Sequence, residues 1–251
     1  MACNTEPDSR YVIAIGAAAL DEYYTADTWP SEGGKAMVDY KEDMIGGMIP
    51  NAACVFAGYG VHTYLVDTLK NNSKKTDMIV SDLKAHGVKT GLLRYQDDIP
   101  DARTIIILTH RERTILVVEP HKPLLDIKAC ELDIFRKASY IYTTPVELKN
   151  IRNYMEFVDD MKNHHVKLAF DIEASTVDAC DKELIYKGDV LFFNEFGFEK
   201  IKGNRGEEEA FSEMFENGVE IATITLGEKG SFTATKNETF RTPAVKQQVV
   251  R

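Results

Sequence analysis

From Ser139 onward, short apolar runs alternate with amphipathic helical segments, and this alternation limits the chain to few architectures. Ser139 to Thr143, Val166 to Asp171, Val190 to Phe193 and Glu220 to Thr225 read as strands. Between the first two, Glu147 to His164 reads as one helix, with Leu148, Ile151, Tyr154, Met155, Val158 and Met161 on one side. Val177 to Tyr186 reads as a weaker helix. Gly206 to Asn217 reads as another, with Ala210, Phe211, Met214 and Phe215 inward and Gly218 as its stop. Strand–helix units repeating at about 25–35 residues predict an α/β fold, a mainly parallel sheet with helices on both faces. The runs Ser231 to Thr235 and Phe240 to Val250 follow the last unit.

The first half is less regular. Tyr11 to Gly16 (YVIAIG) reads as a buried strand whose carboxyl end leads to Asp21. Ligands gather at the carboxyl ends of strands in open α/β sheets, which makes Asp21 a candidate. Gly46-Gly47-Met48-Ile49-Pro50-Asn51 then reads as a tight turn feeding a helix N-terminus, where free backbone N–H groups suit oxygen-rich ligands. Val61 to Val66 and Val88 to Arg94 are strand candidates, and Ser73 to His86 is a helix with Gly87 as its stop. Two stretches stand outside the alternation. Glu22 to Met44 is polar and aromatic, either a flap or a long loop. Arg103 to Thr109 and Arg113 to Glu119 predict a hairpin, read as a flap rather than an edge of the main sheet. The chain of 251 residues is thus expected to be a single α/β domain with lid insertions at about 22–45 and 98–119.

Composition narrows the partners. The formal net charge of -10 and the absence of any basic run argue against nucleic acid. No apolar run reaches transmembrane length, and Met1 to Arg10 does not read as a signal peptide. Cys3, Cys54, Cys130 and Cys180 form no CxxC pair, which leaves neither zinc spacing nor a disulfide framework. A cytoplasmic protein is the expectation. After Gly16, Ala18 and Asp21 stand where a dinucleotide fingerprint needs glycine, so a nicotinamide enzyme is disfavoured. No Walker-type loop and no Gly-x-Ser-x-Gly elbow occurs.

Three stretches in order, Gly16 with Asp21, Gly46-Gly47-x-x-x-Asn51 and Thr225-Leu226-Gly227-x-x-Gly230, resemble the ribokinase-like (PfkB) carbohydrate kinases over nearly the whole chain. The resemblance implies a ribokinase-like α/β fold with a small β-rich lid, and transfer of phosphate from ATP to a hydroxyl of a sugar or sugar-like alcohol. It implies that Asp21, Gly46, Gly47 and Asn51 hold the substrate hydroxyls. Carboxylate and amide groups pair with vicinal hydroxyls while bare glycine backbone lets the ring sit close. Arg103 is a further substrate-side candidate, for an acidic or phosphorylated sugar. Asn194 resembles the family asparagine near the Mg2+-nucleotide, and Thr225, Gly227 and Gly230 the loop that touches the ATP phosphates. A homodimer through exposed lid edges is family-like.

Two departures from the family pattern bear on chemistry. Where the family usually has Asn-x-x-Glu, with the glutamate ordering Mg2+, this chain has Asn194-Glu195-Phe196-Gly197, leaving Glu195 or Glu199 as substitutes. The family's Asp-Thr-x-Gly-Ala-Gly-Asp segment, with its general base, does not occur before Arg251. Its loss removes about 10²–10⁴ in rate for the base and about 10²–10³ for an oxyanion donor. The expectation is an incomplete version of a kinase, inactive by itself. The alternative is a non-catalytic sugar-binding or interaction protein retaining the fold.

Overall fold

The structure, a computed structural model, describes residues 10–110, 112–118 and 121–246. They fall into two compact units divided after Leu124. Glu119 of the predicted hairpin, and 247–250 of the run that begins at Phe240, lie outside the described residues.

In the first unit β1 (Tyr11–Ile15) is followed by β2 (Ala19–Thr25), β3 (Asp39–Gly46) and helix α1 (Met48–Gly58). Then come β4 (His62–Val66), β5 (Thr68–Lys70), α2 (Lys74–Ala85), β6 (Arg94–Gln96), β7 (Arg103–Leu108) and β8 (Arg113–Val118). β1 and β4 are parallel neighbours, with Ile13 opposite Tyr64. Ile13, Ala14, Leu65 and Val66 are buried, as their apolar runs require. Ser73 caps α2 by accepting the Lys75 N–H at 3.2 Å, and the helix stops before Gly87.

The two insertions expected from the sequence build one sheet. Its order is β3-β2-β7-β8, with β2 antiparallel to β3 and parallel to β7, and β7–β8 forming the expected hairpin. The stretch from Glu22 to Met44 is therefore strand at its two ends, and the longer part between Thr25 and Asp39 is a connection. Val88 to Arg94 is not a strand. It contributes one isolated bridge, Lys89 to Tyr64, and pairing resumes at β6, beside β5.

The second unit contains α3 (Ala129–Arg136), β9 (Tyr140–Thr143), α4 (Pro145–Lys149), α5 (Tyr154–Asn163) and β10 (Lys167–Ile172). It continues with α6 (Ala174–Ala179), α7 (Lys182–Ile185), β11 (Val190–Asn194), α8 (Glu195–Lys202), α9 (Glu207–Glu216), β12 (Ile221–Thr225), β13 (Ser231–Thr235) and β14 (Thr239–Thr242). Strands β9 to β12 run parallel in chain order, and β13 and β14 extend them antiparallel. The helix expected over Glu147 to His164 is broken: Asn153 has φ 55° and Ile151 bridges to Leu125. The weaker helix expected over Val177 to Tyr186 is likewise two short pieces, α6 and α7. Among the described residues no helix is long and apolar enough to cross a membrane.

Candidate functional site

The first unit gathers three of the sequence candidates around the end of β1. Asp21 lies on β2, opposite Met44 on β3 and Thr104 on β7, so the side chains of Asp21 and Thr104 share one face of the four-stranded sheet. Burial holds the Asp21 carboxyl above the usual carboxylate range, and a hydrogen bond from Thr104 opposes that shift. Gly46 ends β3 two residue pairs away, and a side chain there would overlap the Asp21 carboxylate. Sequence reading missed Thr104; it is one polar residue in an apolar run, and only strand register gives it a role.

Gly47 follows in a left-handed conformation, φ 108°, as the residue that starts α1. A Cβ there would stand 2.5 Å from the carbonyl oxygen of Ala17, so both conformation and proximity demand glycine. No side chain caps α1 and its first turn holds no acidic residue. Its leading N–H groups are thus positioned for an oxygen-rich ligand.

Asn51 lies one turn into α1, exposed, with its N–H donating to the Gly47 carbonyl at 3.0 Å. It lines an open groove of about 1050 Å³ with Asp43, Met44 and Cys54, with Asp77 and Ser81 of α2, and with His86 just after that helix. Arg103 is not brought to Asp21. Its partner in the register is Leu20, which turns it to the opposite face, where it lies 3.7 Å from Glu22. Glu22 is buried and also bound by Lys75 of α2, and these cations hold its carboxyl below the usual range.

The second unit holds the other candidates. Asn194 and Thr225 are direct partners at the carboxyl ends of the parallel strands β11 and β12. The Asn194 side chain caps α8, accepting the Gly197 N–H at 2.7 Å. Thr225 donates its hydroxyl to the Phe193 carbonyl at 3.2 Å. Beyond it the chain makes a single 3-10 turn, Gly227–Lys229, closed by the Leu226 N–H on the Gly230 carbonyl at 2.8 Å. Gly227 and Gly230 both have positive φ. Glu195 and Glu199 line a cavity of about 110 Å³ together with Leu226, Phe232 and Arg241. Glu195 is exposed in the first turn of α8, whereas Glu199 is paired with Lys202 at 2.7 Å. Among the described residues no group of three or more His, Cys, Asp or Glu side chains is arranged to hold a metal ion.

Solved structures place this architecture. The chain is similar to a ribokinase from Arabidopsis thaliana complexed with ribose and ATP, at TM-score 0.78 and 19% identity, covering 95% of this chain and 79% of that one. A ribokinase from Thermotoga maritima gives TM-score 0.79 and 18% identity, over 96% and 80%. An adenosine kinase from Sinorhizobium meliloti gives 0.75 and 19%, over 97% and 83%. A comparison with curated proteins found no match. The fold is the ribokinase-like α/β fold with a mostly parallel central sheet. The family model for pfkB family carbohydrate kinases matches residues 9–251, and the chain belongs to that family.

Proposed function

We propose that the protein transfers a phosphoryl group from ATP to a hydroxyl of a sugar or of a sugar-like alcohol such as a nucleoside. The observation that carries the reading is the Asp21–Gly46–Gly47 arrangement. A partly desolvated carboxylate lies against bare glycine backbone, next to an uncapped helix start. Asp21 accepts hydrogen bonds from vicinal hydroxyls, the two glycines admit the ring, and Asn51 adds an amide from the first turn of α1. Binding hydroxyls this way discriminates strongly, because an analogue lacking one leaves a buried polar group unpaired. Arg103, held by Glu22, is left out of this set.

On the nucleotide side, Asn194, Thr225, Gly227 and Gly230 are proposed to meet the ATP phosphates. A neighbouring fold bound to ribose and ATP supports that choice of donor. Mg2+ arrives in this reading on the nucleotide phosphates, as suits a small cation that keeps most of its waters, and Glu195 is its proposed protein partner. The four-stranded sheet covers the sugar and presents β3 and β8 as edges for a homodimer. A reduced cytoplasmic setting fits the free Cys54, Cys130 and Cys180.

The 251 residues contain no Asp-Thr-x-Gly-Ala-Gly-Asp segment, the stretch that carries the general base in the family pattern. The test is a panel of ribose, fructose and adenosine, with binding by calorimetry and phosphorylation by mass spectrometry in Mg2+-ATP. Binding of one panel member by these residues, weakened in Asp21→Asn, supports the reading. Turnover is expected where the glycine-rich segment is present. No binding and no turnover of any member would sink it; binding without turnover, even with that segment present, would favour a sugar-binding role.

A further inference from the structure

We propose that Asp67 and Lys122 form a positioning pair that fixes the turn between β1 and β2, and through it Gly47 and Asp21. The inference rests on the sugar-site reading for its purpose, but its geometry stands apart from the choice of sugar.

Asp67 directly follows β4, at the carboxyl end of the parallel β1–β4 pair. Its side chain is only 7% exposed, and both oxygens are used. Oδ2 accepts the Ala18 N–H at 2.9 Å. Oδ1 accepts the Thr68 N–H at 2.7 Å and the Lys122 ammonium at 2.6 Å. Ala18 lies in the turn that joins β1 to β2, three residues before Asp21. Its neighbour Ala17 presents the carbonyl oxygen that excludes any side chain from Gly47. One carboxylate therefore pins the backbone against which the helix start of α1 is built. Lys122 belongs to the segment that follows β8, so the pair also ties the exit of the four-stranded sheet to the sugar turn.

The chemistry favours positioning over bulk stability. Removing a carboxylate and an ammonium from water is expensive, and a buried pair is often no more stabilising than apolar residues of the same volume. What the pair supplies is direction: an acceptor aimed at the Ala18 and Thr68 N–H groups, and a long cation that opposes the burial that raises its pKa. The alanines at 17 and 18 have no polar side chain to hold the turn themselves.

The test uses the full chain with Lys122→Met, Lys122→Arg and Asp67→Asn. Amide hydrogen exchange is read at Ala18, Gly47 and Asp21, with β10 and β11 as internal reference, and ribose, fructose and adenosine affinities are measured in parallel. Lys122→Met is expected to lose about tenfold or more of the protection at Ala18 and Gly47 while β10 and β11 keep theirs. Lys122→Arg is expected to recover most of it. Uniform loss across both units, or no change at Ala18, overturns the proposal. If the unsubstituted chain binds none of the three compounds, the sugar reading fails, and the exchange data still decide whether the pair positions the turn.

Discussion

Gly46 and the carboxylate of Asp21 compete for one space: a side chain at position 46 would overlap that carboxylate from the neighbouring strand. Gly46→Ala must push Asp21 aside or distort the end of β3. Overpacking of this kind removes about 1–3 kcal/mol of stability. Sugar affinity is expected to fall about tenfold or more, since each 1.4 kcal/mol of misplaced contact is a factor of ten. Calorimetric titration and urea denaturation of the variant check both numbers. Unchanged affinity would show that Asp21 does not touch the substrate.

Asp21→Asn separates binding from stability. Burial raises the Asp21 pKa in the folded protein, so the native state binds the proton more tightly than the unfolded chain. Stability from this group is then greatest at low pH and declines as pH rises through the raised value. The amide does not titrate. Relative to the parent, Asp21→Asn should gain stability as pH rises from the ordinary carboxylate range to neutrality. Sugar binding should weaken by about 1.5–3 kcal/mol, the worth of hydrogen bonds to a charged acceptor. Denaturation midpoints between pH 3 and 8 and one titration at neutral pH test the opposed signs.

The opposite sign is expected at Glu22, on the other face of the same sheet. Lys75, through a hydrogen bond, and more distantly Arg103 lower its folded pKa despite burial. Its contribution is fully present above the unfolded value and is lost as pH falls through the lowered folded one. Glu22→Gln should cost about 1–2 kcal/mol at neutral pH, and the difference from the parent should vanish in acid. Equal curves at all pH values would mean that the three charges contribute nothing net.

How far the sequence carried depended on whether a feature is local. β9 to β12 announced themselves, because each buried parallel strand is a self-contained apolar run. The turn at Gly46-Gly47 and the place of Asp21 just beyond β1 were legible for a similar reason: turn chemistry and strand ends are short-range. The break between α4 and α5 was not, since Ile151 and Tyr154 continue the helical period while Asn153 turns left-handed. Nor was the parallel pairing of β2 with β7, which joins segments far apart in the chain. That register decides Arg103. Shifted by one residue it would share the face of Asp21; as paired, it faces Glu22.

Gly197 stands where the family pattern places a metal-ordering glutamate, and the structure gives the reason for glycine. Its N–H donates to the Asn194 side chain at 2.7 Å, fixing the first turn of α8. A Cβ there would lie 2.6 Å from the carbonyl oxygen of Ile172 and 3.1 Å from the carbonyl carbon of Glu173. Both are backbone atoms at the end of β10, which cannot swing away as a side chain would. Gly197→Glu is therefore expected to cost stability, about 1–3 kcal/mol from forced overpacking. It should not strengthen binding of Mg2+-ATP relative to ATP alone, because the new carboxylate arrives only by displacing the helix that carries it and Glu195. Fluorescence titration with the nucleotide, with and without Mg2+, reads this directly. A Mg2+-dependent gain in affinity would show that α8 can move away from β10 and that position 197 reaches the metal.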